Sequence, residues 1–254
     1  MRFRKIALAL FACLALGAFA TSAAQAAEGE GWTIEGSGLI PNGTHQGVSC
    51  EKHGTSSLIF TSSLLGSEVE LSAEGVDCVE ATIDNTTSKG HSEGKLTFTG
   101  VKVLKPSTKC SVKNTGGELG EITTAALTDE VIMDPTVGST VVFDRFFPEV
   151  AGGAFVTIEF SGAECPLNEA AAAVKGSACG EAVHTNAGGT GYEANKTGEL
   201  KVVQTLLFGS AQQSTGNSTA KPCALTLGSK AAQIAGAVDN KLAGTNVGKA
   251  FGDD

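Results

Sequence analysis

Gly90-His91-Ser92-Glu93-Gly94 is a literal G-x-S-x-G, the string that in α/β-hydrolases forms a sharp strand-to-helix elbow exposing a nucleophilic serine. Its flanks do not suit that use. Asn85-Thr86-Thr87-Ser88-Lys89 before it is turn chemistry, and Lys95–Val103 after it reads as a strand rather than a helix. A triad would also need an acid and then a histidine downstream, and only His184 follows. A serine hydrolase using Ser92 is therefore the least favoured activity. Glu68/Glu70 and Glu159/Glu164 are paired carboxylates. A glycosidase needs two such groups about 5–9 Å apart in a cleft, whereas carboxylates at i, i+2 on a strand share one face, usually the solvated one.

Metal and sugar chemistry fare no better. His45, Cys50 and His53 make H-x4-C-x2-H, but a zinc site takes four ligands in tight paired spacings, and no second pair is present. P-loop, Rossmann and EF-hand patterns are missing too. No catalytic residue, metal ligand or cofactor is expected. Many sugar platforms stack rings on exposed aromatics, and this chain has one Trp, Trp32, and one Tyr, Tyr192. These two are the ligand contacts a carbohydrate-binding module would use. Trp32 lies in an alternating run, however, and is expected in the core.

The first 26 residues read as a secretory signal peptide. Arg2, Arg4 and Lys5 precede an apolar run from Ile6 to Ala20, and Ala24-Gln25-Ala26 is a small-x-small cleavage site. About 15 apolar residues fall short of the roughly 20 a membrane-spanning helix needs, and no transmembrane segment is expected later. Cys13, behind Leu10-Phe11-Ala12, makes a poor lipid-attachment site. Cleavage near Ala26 leaves residues 27–254, with all 27 acidic side chains but, without Arg2, Arg4 and Lys5, three fewer basic ones than the 18 of the whole chain, a net charge of −12. Such a body is a poor nucleic-acid partner and is expected in the cell envelope or outside the cell.

Past Cys13 come Cys50, Cys78, Cys110, Cys165, Cys179 and Cys223, an even set that points to disulfides in an oxidising compartment. Six cysteines allow 15 pairings. The favoured set is Cys165–Cys179 across 13 residues, Cys78–Cys110 clipping a long hairpin, and Cys50–Cys223 by elimination.

Period-2 runs dominate the elements that must position these residues. Examples are Glu68–Ala73, Val79–Ile83 and Ala154–Phe160, with further strands at Trp32–Gly36, Ser57–Thr61, Leu119–Thr123, Thr140–Phe143, Leu200–Phe208 and Ala224–Leu227. Gly/Asn/Ser/Thr clusters separate them, which predicts an all-β antiparallel sandwich or jelly-roll-like domain. Lys95–Val103 shifts its apolar phase at Gly100, where a bulge is expected. Asn168–Lys175 and Ser229–Gly244 are helix candidates, the second placing Ile234, Val238 and Leu242 four apart. Val69–Cys78 also aligns without gaps on Val156–Cys165, which suggests two related β units. Four N-x-[ST] strings, at Asn42, Asn85, Asn195 and Asn217, predict surface turns.

Trp32-x-Ile34-x-Gly36, Leu96–Gly100, Gly120–Thr124, Val174–Ser177 and Gly248-x-x-Phe251-Gly252 occur in this order. In that order the chain resembles a group of uncharacterised exported all-β proteins of high-GC actinobacteria. Members of that group carry Cys where this chain has Val101, which leaves the partner of Cys110 open. The resemblance implies location and fold and no activity. Together these readings point to an exported, non-catalytic β protein, structural, adhesive or binding, with a cell-wall or polysaccharide surface as the partner to test.

Overall fold

A computed structural model describes residues 32–34, 38–86, 90–133, 142–183, 202–206, 213–214, 221–249 and 251–253. The signal segment, His184, Tyr192, Asn195 and Asn217 lie outside the described residues. In chain order the strands are β1 (Trp32–Ile34), β2 (Gly38–Leu39), β3 (Gln46–Lys52), β4 (Leu58–Leu64), β5 (Ser67–Ala73), β6 (Gly75–Asp84) and β7 (His91–Thr99). Next come β8 (Lys102–Lys105), β9 (Ser111–Asn114), β10 (Ile122–Thr123), β11 (Leu127–Met133), β12 (Val142–Pro148), β13 (Ala154–Ser161) and β14 (Ala171–Gly176). The series ends with β15 (Ala178–Val183), β16 (Val202–Leu206), β17 (Gln213–Ser214), β18 (Lys221–Pro222), β19 (Leu225–Leu227), β20 (Lys230–Leu242) and β21 (Phe251–Asp253).

The fold is all-β, antiparallel and sandwich-like, with a sheet that curls far enough to close on itself. The pairings β3–β6–β7–β11–β12–β15–β16–β20–β3 form a ring of eight strands. The N-terminal part of β20 carries a second layer. On one side it pairs with β4, which leads to β5 and β8; on the other it pairs with β19, which leads to β14, β13 and β9. The main apolar cluster lies here, around Val69, Val112, Phe160, Leu167 and Leu227.

Both helix candidates are strands. Positions i, i+4 and i+8 share a face in a strand as well as in a helix, so the spacing of Ile234, Val238 and Leu242 did not discriminate. Ala172 and Val174 alternate inward from β14, and alanine follows the packing rather than its helix propensity. Gly100 (φ +60°) is not a bulge within one strand but a corner. Before it, β7 belongs to the ring; after it, β8 pairs with β5. The echo between Val69–Cys78 and Val156–Cys165 ends at its strands, because Cys78 continues along β6 while Cys165 sits in the turn after β13.

All six cysteines are paired, but in none of the expected combinations. The bridges are Cys50–Cys78, Cys110–Cys165 and Cys179–Cys223, with Cα–Cα separations of 5.1, 4.7 and 5.6 Å. Closeness along the chain was the wrong guide, since strand adjacency decides. β3 and β6 pair only at Gln46–Ile83 and Gly47–Thr82, next to an irregularity in β6 between Val79 and Thr82. The Cys50–Cys78 bridge joins the same two strands beyond that point.

The β4–β5 hairpin turns through Leu65 (φ 51°) and Gly66 (φ 85°), a two-residue loop with both φ positive that favours Asn-Gly. Leu65 is 80% exposed, so it loses backbone freedom without gaining packing. Leu65→Asn is expected to raise stability by about 1 kcal/mol, a rise of about 3 °C in Tm for a chain of this size, measured by thermal denaturation.

Candidate functional site

The ring leaves space inside. Eight strands enclose an interior that side chains just fill or that holds one small ligand, and several inward positions here are small. Ser92 pairs with Ile83 and Asp129, Gly94 pairs with Leu127, and Ala178 pairs with Phe146. Gly94 (φ +155°) has no room for more, since a Cβ there would lie 2.8 Å from Ala81 Cα. The result is a cavity of about 200 Å³ walled by apolar groups, among them Leu58, Phe60, Leu96, Phe98, Phe146 and Val238. It draws its lining from all three buried clusters.

At one side the cavity meets a small sheet. β1 pairs with β2 and with β21, setting Trp32 opposite Asp253 and Ile34 opposite Phe251. Two separated sequence motifs, Trp32-x-Ile34 and Phe251-Gly252, are thus hydrogen-bonded neighbours. Trp32, Ile34, Ile40 and Phe251 pack with Ile83 of β6 and Leu242 of β20. Asn85 pins this sheet to the ring. Its Oδ1 accepts from Trp32 N (2.8 Å) and Gly90 N (3.1 Å), and its Nδ2 donates to Trp32 O (2.9 Å) and Ile40 O (3.1 Å). Asn85 therefore does more than mark a surface turn; Asn42 is exposed in its turn. Trp32 is 3% exposed, borders the cavity, and its Nε1–H has no hydrogen-bond partner. An unpartnered buried donor costs about 1–3 kcal/mol.

A polar relay lies on the opposite face of β6, β7 and β11. Asp84 is fully buried, and its Oδ2 accepts from His91 Nδ1 at 3.0 Å, with His45 Nδ1 at 3.3 Å. His91 Nε2 is 2.9 Å from Thr128 Oγ1. Burial pushes the Asp84 carboxyl up, but hydrogen bonds from His91 and from the backbone and hydroxyl of Thr86 outweigh it and hold the group below its usual value. Acid, imidazole and hydroxyl in this order resemble an activated nucleophile. Thr128, however, is mid-strand and paired on both sides, with Glu93 and Phe147. The relay clamps three strands.

The expected site residues are dispersed. Ser92 is in a strand paired on both edges, and its N–H donates to Asp129 Oδ1 at 2.6 Å, so the G-x-S-x-G string makes no elbow. Glu68 and Glu70 both bind Lys105, at 2.7 and 3.0 Å, and Glu159 accepts from Thr115 Oγ1. Cys50 is in a disulfide and offers no thiolate to a metal. Trp32 is buried, so it presents no exposed face for stacking a sugar.

Comparison of the chain with protein-family models, curated proteins and solved structures returns no match. The site therefore rests on its own geometry. Sequence reading missed the cavity and the Asp84–His91–Thr128 relay, since register alone brings residues 84, 91 and 128 together.

A carboxyl held below its usual value adds stability that is complete above the unfolded pKa, about 4, and is lost as pH falls through the lower folded value. Asp84→Asn is expected to cost about 2 kcal/mol at pH 7 and to flatten the acid limb of stability below pH ~4. Urea melts between pH 2 and 7 check this; an unchanged acid limb would contradict it.

Proposed function

We propose that this chain is an exported, non-catalytic binding protein that holds one compact apolar molecule inside its curled sheet. The observation that carries this reading is the apolar cavity of about 200 Å³ between Leu58, Phe60, Leu96, Phe98, Phe146 and Val238. An apolar cavity of about 150 Å³ takes up benzene, while drug-sized ligands need roughly 300–1,000 Å³. The ligand is accordingly a single ring with a short substituent, or a molecule of that bulk. Its affinity comes from filling space that close-packed side chains would otherwise occupy.

Several features support export. Three disulfides fit an oxidising environment. The basic start, apolar run and Ala24-Gln25-Ala26 site support signal cleavage after Ala26, leaving a mature chain that begins at Ala27. The resemblance to exported actinobacterial proteins points the same way. The protein would act outside the cell or in the cell envelope, and with Trp32 buried, a polysaccharide surface is not the favoured partner.

Isothermal titration of the exported protein with toluene is expected to show saturable one-to-one binding. Ala73→Leu fills lining space next to Leu96 and Phe98 and is expected to weaken binding at least fivefold while the fold persists. Heats indistinguishable from dilution for the unaltered protein would overturn the proposal.

A further inference from the structure

The serine of the G-x-S-x-G string faces the inside of the ring. Strand β7 runs without irregularity against β11 from His91 to Gly94, so its alternate residues face opposite sides of the sheet. His91 and Glu93 face outward, where His91 meets Asp84 and Thr128, and Glu93 accepts from Thr82 Oγ1 at 3.4 Å. Ser92 and Gly94 face inward, as do Leu96 and Phe98, which pack against the buried clusters. The residues directly across from Ser92 are Ile83 and Asp129, only 4% and 3% exposed. Each of these inward residues lines the cavity.

The backbone of Ser92 is held on both sides, and its hydroxyl is left over. The Ser92 N–H donates to Asp129 Oδ1 at 2.6 Å, and its C=O accepts from Thr128 Oγ1 at 3.2 Å. Ser92 Oγ takes part in no hydrogen bond among the described residues. Nor is it sealed in by protein, because the fully enclosed side-chain polar atom without a partner there is Trp32 Nε1. Ser92 is part-buried, and its oxygen keeps accessible surface on the inner side of the sheet. A hydroxyl offers one donor and two acceptor positions, all of them unused in a wall that is otherwise mostly hydrocarbon.

We infer that the ligand of this cavity carries a single hydroxyl, as a compact alcohol or phenol, and seats that group on Ser92 Oγ with its hydrocarbon part against Leu96, Phe98 and Phe146. This rests on the cavity-binding function proposed above and adds the ligand's polar end. A hydroxyl both gives and takes a hydrogen bond at one atom, which matches what Ser92 offers. A hydrocarbon leaves the serine without a partner, and a carboxylate must shed its hydration to enter an apolar interior, at high cost. Ser92 thus serves as a binding residue rather than a nucleophile.

The test titrates toluene, phenol and benzoate into the unaltered protein and into Ser92→Ala. Toluene and phenol are expected to bind the unaltered protein, and benzoate at least about tenfold more weakly than phenol. In Ser92→Ala, phenol is expected to lose about tenfold in affinity, the worth of one hydrogen bond. Toluene should change by less than about twofold, which also shows that the ring and its cavity persist in the variant. A crystal of the unaltered protein soaked in phenol reads the contact without any substitution: the phenol oxygen should lie within about 3 Å of Ser92 Oγ. Loss of phenol and toluene affinity by the same factor, no change in either, or a bound phenol with its oxygen away from Ser92 would overturn the hydroxyl inference and leave the cavity function intact. So would toluene binding without phenol. Benzoate binding as tightly as phenol would overturn the neutral-ligand assignment. Failure of toluene and phenol alike would remove the cavity function and this inference with it.

Discussion

One strand must serve two layers, and the rest of the fold follows from how it does so. The residues of β20 from Gln233 to Ala235 pair with β4, those from Gly236 to Asn240 with β16, and those from Val238 to Leu242 with β3. The exchange happens at Gly236 (φ +149°), where a Cβ would lie 2.9 Å from Ser57 O and 3.2 Å from Leu58 Cα. Glycine alone lets β4 cross so closely and adopts that backbone without strain. If β20 could not change partners there, the eight-stranded ring would stay open and the second layer would have no edge to grow from.

Ring closure explains the cavity. A closed sheet has a width set by strand number and stagger, and it cannot shrink to suit its contents. Where inward positions are Ser92, Gly94 and Ala178, neighbouring strands cannot move in to fill the space. The Cys50–Cys78 bridge and the Asp84–His91–Thr128 relay tie ring strands together from opposite faces. Each disulfide stabilises such a fold by about 2–4 kcal/mol, enough to offset the lost contacts around an unfilled interior. Rigid walls around an unfilled apolar space are what a small-molecule site requires, because the cost of organising it is met at folding rather than at binding.

Much of this was legible in the chain and some was not, for reasons that differ by residue. Alternation revealed β5, β13 and β19 because their inward residues, such as Val69, Leu71, Ile158 and Leu227, are all apolar. It failed on β11, where Asp129 takes an inward position and breaks the pattern. β20 read as a helix candidate because residues four apart share a face in a strand, whose period is two, and lie close to one face in a helix, whose period is 3.6. Gly100 and Trp32 could be singled out, as a phase shift and as a core residue respectively. Neither the corner at Gly100 nor the bare indole N–H of Trp32 could be inferred, since each depends on which strand lies beside it. The disulfides failed in the same way. Their number follows from composition, whereas their partners depend on which strands are neighbours.

The most direct measurement is a crystal of the protein equilibrated under xenon pressure, with anomalous scattering used to locate bound atoms. Xenon enters apolar cavities without needing any polar contact, so it tests the cavity independently of ligand chemistry. The account predicts at least one well-occupied xenon site inside the ring, within van der Waals reach of Leu58, Leu96, Phe98 and Val238. An interior with no xenon, its side chains closed over that space, would contradict it.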